Sequence, residues 1–113
     1  MKIELSEKNG IKIIVLSGKI MGSPEDKRFI EAIYDFAEQG FVKVVLDLSG
    51  VEWMNSQGLG MCLRALTTLR KRNGDLKLAN LSKNSRSLME KCRLLGVFNH
   101  YKTIDKAVAS FSE

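Results

Sequence analysis

Residues 44–66, VVLDLSGVEWMNSQGLGMCLRAL, decide how the rest of the chain is read. Val42 to Leu48 is a nearly unbroken apolar run, the pattern of a strand covered on both faces. From Ser56 onward the period changes: Leu59, Cys62, Leu63, Leu66 and Leu69 recur at helical spacing. A strand therefore runs into a helix across Met54-Asn55-Ser56-Gln57-Gly58. Such a junction can be a plain cap, a phosphate cradle, a nucleophile turn or a regulatory serine. On residue chemistry alone Ser56 reads as the N-cap, and Gly58 and Gly60 as places where backbones pack closely.

Working outward, Ile3 and Leu5 alternate with polar residues and Ile11 to Ser17 is rich in β-branched side chains. Asn9-Gly10 between them is a strong hairpin signal. Ser23-Pro24-Glu25-Asp26 reads as a helix start, with Phe29, Ile30, Ile33, Phe36 and Ala37 as the buried stripe and Gly40 as the stop. Beyond the second helix, which Asn73-Gly74 should end, Leu76 to Ala79 is a short strand. Ser82 can cap a third helix with Leu88, Met89, Cys92 and Leu95 inward, closed by Gly96. Val97 to Lys102 supplies an edge strand, and Thr103 caps a last helix carrying Ile104, Ala107, Val108 and Phe111.

The order β-β-α-β-α-β-α-β-α predicts one α/β domain over residues 1–113. Its expected form is a central mixed sheet of four or five strands, with about four helices packed mainly on one face. The helices are expected at 24–39, 56–73, 83–94 and 103–111, and the 42–48 strand inside the sheet. The turn after that strand then lies at the carboxyl edge, where α/β proteins place their sites.

Composition narrows the function. The chain has 113 residues, 44% hydrophobic and 27% charged, and no stretch approaches a membrane span. MKIELSEKNG lacks the apolar centre of a signal peptide, so a cytoplasmic protein is expected. Cys62 and Cys92 show no metal-binding spacing and read as buried, reduced thiols. No metal and no cofactor are expected. The formal charge of +5 is uneven: nine Lys and Arg lie between residues 64 and 93, against Asp75 and Glu90. That segment is either a solvated basic face or a surface for an acidic partner. It has no interleaved aromatics, so direct nucleic-acid binding is not expected.

Catalysis finds no support. Residues 54–58 lack the first glycine of a nucleophile elbow, and His100 is the chain's single histidine. There is no GxxxxGK[ST] loop, and Asp47 has no second carboxylate clustered with it. We read no enzyme.

DLSGVEWMNSQGLGMCL resembles the signature of the STAS domain, the family of anti-sigma factor antagonists and sulfate-transporter tails. That signature typically reads D-L-S-x-V-x-x-[ML]-D-S-[ST]-G-L-G. The likeness extends to the N-terminal hairpin ending in Ser-Gly and to the closing LLGVFNHYKTIDKAVASF. The resemblance implies a regulatory cycle. A serine kinase that is also the anti-sigma factor binds the unphosphorylated antagonist, phosphorylation at Ser56 releases it, and a serine phosphatase resets it. The expected partner-binding residues are Trp53, Met54, Asn55, Ser56, Gln57 and Gly58, with Met21, Gly22 and Arg64 beside them, on a monomer or weak dimer. Asn55 stands where the family usually has Asp, Gln57 replaces a small hydroxyl residue, and residues 18–22 lack a commonly present acid. A different reading within the family is a non-switching adaptor of a lipid-transport ABC complex or signalling scaffold, in which Ser56 is only a cap.

Overall fold

The structure is a computed structural model that describes residues 1–112. Strands β1 (Lys2–Lys8) and β2 (Ile11–Ile20) form an antiparallel hairpin. Its turn residues Asn9 and Gly10 both have positive φ, +54° and +79°, the two-residue turn whose twist suits paired strands. A 3-10 turn over Pro24–Asp26 leads into α1 (Lys27–Glu38), so the helix proper begins later than the sequence suggests. There follow β3 (Lys43–Met54), α2 (Ser56–Arg70), β4 (Asp75–Ala79), α3 (Lys83–Lys91), β5 (His100–Tyr101) and α4 (Ile104–Ser110). The sheet order is β1-β2-β3-β4-β5, parallel from β2 onward, with β3 in the middle as expected.

Alternation along the inner strands sorts their side chains into two cores. Ile14, Leu16, Val44, Leu46, Leu48, Leu76 and Leu78 face α1, α2 and α3, meeting Phe29, Ile33, Cys62, Leu66, Leu69 and Met89. Ile11, Ile13, Val45 and Ala79 face the other way, against Ala107 and Val108 of α4. Three helices thus share one face and the fourth covers the other.

Three helices close with one device. Phe41 N–H donates to Phe36 O (2.8 Å), Gly74 N–H to Leu69 O (2.9 Å) and Leu94 N–H to Met89 O (2.8 Å). In each case the preceding residue is left-handed: Gly40, Asn73 and Arg93, at φ of +90°, +64° and +58°. Asn73 rather than Gly74 thus makes the turn after α2. Arg93, not Gly96, ends α3, and Leu95–Val97 forms a further 3-10 turn that shortens β5 to two residues. Ending α3 early also leaves Cys92 exposed, against the expectation that it is buried.

The basic segment is not one continuous face. Lys77 is only 9% exposed on the α4 side of the sheet. Its Nζ donates to Ser110 Oγ (2.7 Å) and sits 4.2 Å from the centroid of Phe111. Arg70 bonds Asp75, Arg86 bonds Glu90, and Arg72 reaches back to the carbonyl of Ala37 at the end of α1.

Two outcomes are expected. Arg93→Gly should raise stability by about 0.5–1 kcal/mol in denaturant unfolding, because glycine adopts the left-handed turn without a Cβ clash. Burial pushes the Cys62 thiol up to about 12. An alkylating agent near neutral pH should therefore label Cys92 in the native protein and reach Cys62 only after unfolding, as mass spectrometry would read directly.

Candidate functional site

The junction quoted at the outset is built differently from a strand, a loop and a helix. β3 does not stop at Leu48 but continues to Met54, pairing Trp53 with Lys19 and Met54 with Ile20. The pairing has irregularities between Val15 and Ser17 and between Gly18 and Lys19, as a bulged, strongly twisted pair shows. Asp47 therefore lies inside the strand rather than at its end. Buried, its carboxylate accepts from Ser49 N–H (2.8 Å), Ser49 Oγ (2.7 Å) and the Asn80 amide (2.6 Å). Those donors make it a structural bracket between β3 and the end of β4.

The helix cap also moves by one residue. Asn55, in extended backbone, is the N-cap of α2, and its Oδ1 accepts from Gly58 N–H (2.9 Å). Ser56 is the first helical residue and exposed, so the expectation that Ser56 itself caps the helix is overturned. Asn55 does more than an Asp could. Its Nδ2 donates to Met21 O (3.2 Å), while its N–H donates to Ile20 O (3.3 Å). The amide side chain thereby ties the start of α2 to the segment after β2, with a donor that a carboxylate lacks.

Gly58 is buried against that segment: a Cβ there would lie 2.5 Å from Ile20 O, so close approach requires glycine. Gly60 has open space around its missing Cβ, so the expected close packing there does not occur. Gly22, at φ +80°, lies under Gln57, whose Cβ and Oε1 occupy the space a side chain at 22 would need. The Asp26 carboxylate holds the same segment, accepting from Gly22 N–H (2.7 Å) and Ser23 N–H (3.1 Å).

The expected contact residues therefore separate by burial. Met21, Gly22, Trp53, Ser56, Gln57 and Arg64 are exposed, with Trp53 at 51%. Asn55 is half-buried, whereas Met54 (1% exposed) and Gly58 form the floor and are not part of the outer surface. Met54 is a core side chain and Trp53 a surface one, as neighbours on a strand must be. Arg64 donates its Nε–H to Tyr34 Oη (2.9 Å), joining α2 to α1. Gly22, Gln57, Tyr34 and Arg64 border a cleft of about 570 Å³ between those helices.

Tyr34 and Asn84 are residues that sequence reasoning missed, and it reads Asp26 only as part of a helix start. The role of Asp26 was discoverable, since Ser23-x-x-Asp26 is a helix-start pattern that reaches back to the cap. Asn84, whose Oδ1 accepts from Met54 N–H (2.8 Å), comes from thirty residues along the chain and carries no local signal. Among the described residues, no group of three or more His, Cys, Asp and Glu could hold a metal ion, and no helix is long and apolar enough to cross a membrane.

Comparison with known proteins agrees with this architecture. The profile of the STAS domain matches residues 2–107, most of the chain. The chain is a STAS domain. It is 27% identical over 111 residues to BtrV of Bordetella bronchiseptica, a candidate anti-sigma factor antagonist, covering 98% of this chain and 95% of that one. A candidate anti-sigma factor antagonist from Thermotoga maritima superimposes with a TM-score of 0.86 at 19% identity, covering 98% of this chain and 95% of the other. The phosphorylated form of SpoIIAA, a Bacillus cell fate determinant, gives 0.76 at 19% identity, covering 97% and 99%. At these identities the two structures speak for the fold of this STAS domain.

Moving the cap to Asn55 has a measurable consequence. Asn55→Ala should cost about 1 kcal/mol in equilibrium unfolding, while Ser56→Ala should cost no more than a few tenths. Asn55→Asp keeps the bond from Gly58 and loses the one to Met21, so amide hydrogen exchange should quicken at residues 20–23 with little change in α2.

Proposed function

We propose that this STAS domain is an anti-sigma factor antagonist whose hold on its partner is switched by phosphorylation of Ser56. One observation carries the reading: Asn55 holds the start of α2, which leaves the Ser56 hydroxyl exposed and unneeded for the cap. The reading is supported by the description of BtrV as a candidate anti-sigma factor antagonist and by the existence of a phosphorylated form of SpoIIAA.

In this cycle a serine kinase that is also the anti-sigma factor docks on the surface formed by Trp53, Ser56, Gln57, Met21 and Gly22. Trp53 and Met21 supply apolar contact, and Arg64 lies at the rim of the adjoining cleft. The Ser56 Oγ takes the γ-phosphoryl group of ATP, loses its proton and leaves ADP. A serine phosphatase returns the hydroxyl by hydrolysis.

Added phosphate brings roughly −1.5 to −2 charges to the first position of a fifteen-residue helix. There it meets the positive end of the helix dipole, a favourable effect of about 0.3–1 kcal/mol. Phosphorylation therefore leaves the fold in place. It acts at the surface, through the bulk and charge it sets against an acidic partner face.

The test uses the cognate kinase. Ser56→Ala should bind it and stay bound when ATP is added. Ser56→Asp should fold and bind more weakly than the unmodified protein. Mass spectrometry after incubation with ATP should find one added phosphate, on Ser56. A kinase that modifies another antagonist yet leaves Ser56 untouched would sink the switch. Recovery of transporter subunits alone in a pull-down would favour the adaptor role.

A further inference from the structure

A second cleft lies at the carboxyl ends of β4 and β5, beside Ser49 in the middle of β3, and shares no residue with the surface around Ser56. It encloses about 610 Å³, and its walls include Ser82, Arg86, His100, Tyr101 and Lys102. We infer that it binds a small phosphate monoester, a dianionic phosphate carrying a short organic group.

Charge is the first reason. Arg86, Lys102 and His100 give the cleft three basic side chains, while among the described residues no Asp or Glu lines it. The carboxylate below it, Asp47, is buried and already accepts from Ser49 N–H, Ser49 Oγ and the Asn80 amide. Those donors point into the floor, so recognition of an anion falls to the basic side chains. Arg86 bonds Glu90 through Nε (3.1 Å), a pair that does not use its two Nη groups. Two Nη donors on a planar fork suit two oxygens of one phosphate.

Place in the fold is the second reason. The parallel strands β4 and β5 end here, and α3, nine residues long, is capped by Ser82 on the cleft wall, which places its N-terminal end at this edge. Size is the third. The volume falls in the range of small-ligand sites and exceeds what a bare ion fills, leaving room for an organic group beside the Tyr101 ring. The lining also sets this site apart from the cleft between α1 and α2, where Lys27 and Arg64 are offset by Asp26 and Glu31.

Titration of isotope-labelled protein with ribose 5-phosphate, followed by backbone amide NMR, tests the assignment. Saturable shifts are expected at residues 82–86 and 100–102, and none with ribose alone. Arg86→Ala and Lys102→Ala should each weaken binding about tenfold, while Lys71→Ala leaves it unchanged. Both cleft side chains are exposed, and unchanged melting temperatures should confirm that the variants remain folded. Vesicles of phosphatidylcholine with and without phosphatidic acid form a second arm. Vesicle binding that needs phosphatidic acid and is lost in the two cleft variants would keep the site and put its phosphate on a lipid. Shifts spread over every surface cation, equal weakening by Lys71→Ala, or no saturation at millimolar ribose 5-phosphate would overturn the site.

Discussion

Everything in this molecule is arranged around the burial of β3 on both faces. Val44, Val45, Leu46 and Leu48 are all fully buried, which a strand achieves only with a neighbour on each side and a layer above and below. Full burial of such side chains is worth about 1.5–3 kcal/mol each, against a net stability of roughly 5–15 kcal/mol for a domain. β2 and β4 supply the two edges, α1 to α3 the larger layer and α4 the smaller. A residue slip in β3 would send Val45 and Leu46 to the wrong layers, so its register holds the whole sheet.

That register also fixes where α2 begins. The last pairs, Trp53 with Lys19 and Met54 with Ile20, bring the strand end beside the carbonyl of Ile20. Asn55 N–H donates to this same oxygen, and Gly58 packs against it. Four separate attachments then converge on a few residues: the Asn55 amide on Met21, Asp26 on Gly22 and Ser23, Gln57 over Gly22, and Asn84 on Met54. Ser56 stands on a rigid platform, the condition under which a change in surface chemistry alters recognition without altering shape.

Much of this was legible in the sequence because its signals are local. Asn9-Gly10 forces a hairpin, the apolar run at 42–48 can satisfy itself only inside a sheet, and the stripes at 29–37 and 59–69 each have one buried side. What escaped notice depends on partners far along the chain. β3 reaches Met54 because β2 continues beside it, bulges included. The cap fell on Asn55 rather than Ser56 because both are good caps, and only the bonds to Ile20 and Met21 separate them. Arg93 is left-handed although arginine has no preference for it, since Leu94 must close onto Met89. Lys77 looked like a surface cation, but strand alternation turns it under α4, where Ser110 and two rings receive it. Trp53 and Met54 are both expected among the partner contacts, but the pleat sends one outward and the other into the core.

The two unequal cores imply an order of events in time. The α4 side rests on a cluster of six buried hydrophobic residues, only two of them from the helix itself, whereas the opposite side is a far larger cluster. Undocking a seven-residue helix from so small a footprint takes less free energy than global unfolding, so this face opens first and most often. During synthesis α4 leaves the ribosome after every strand. Until it docks, Ile11, Ile13, Val45 and Ala79 form an uncovered apolar patch on an otherwise complete sheet. For that interval the nascent chain is stickier than the finished protein, and a chaperone that shields one sheet face would meet its substrate there.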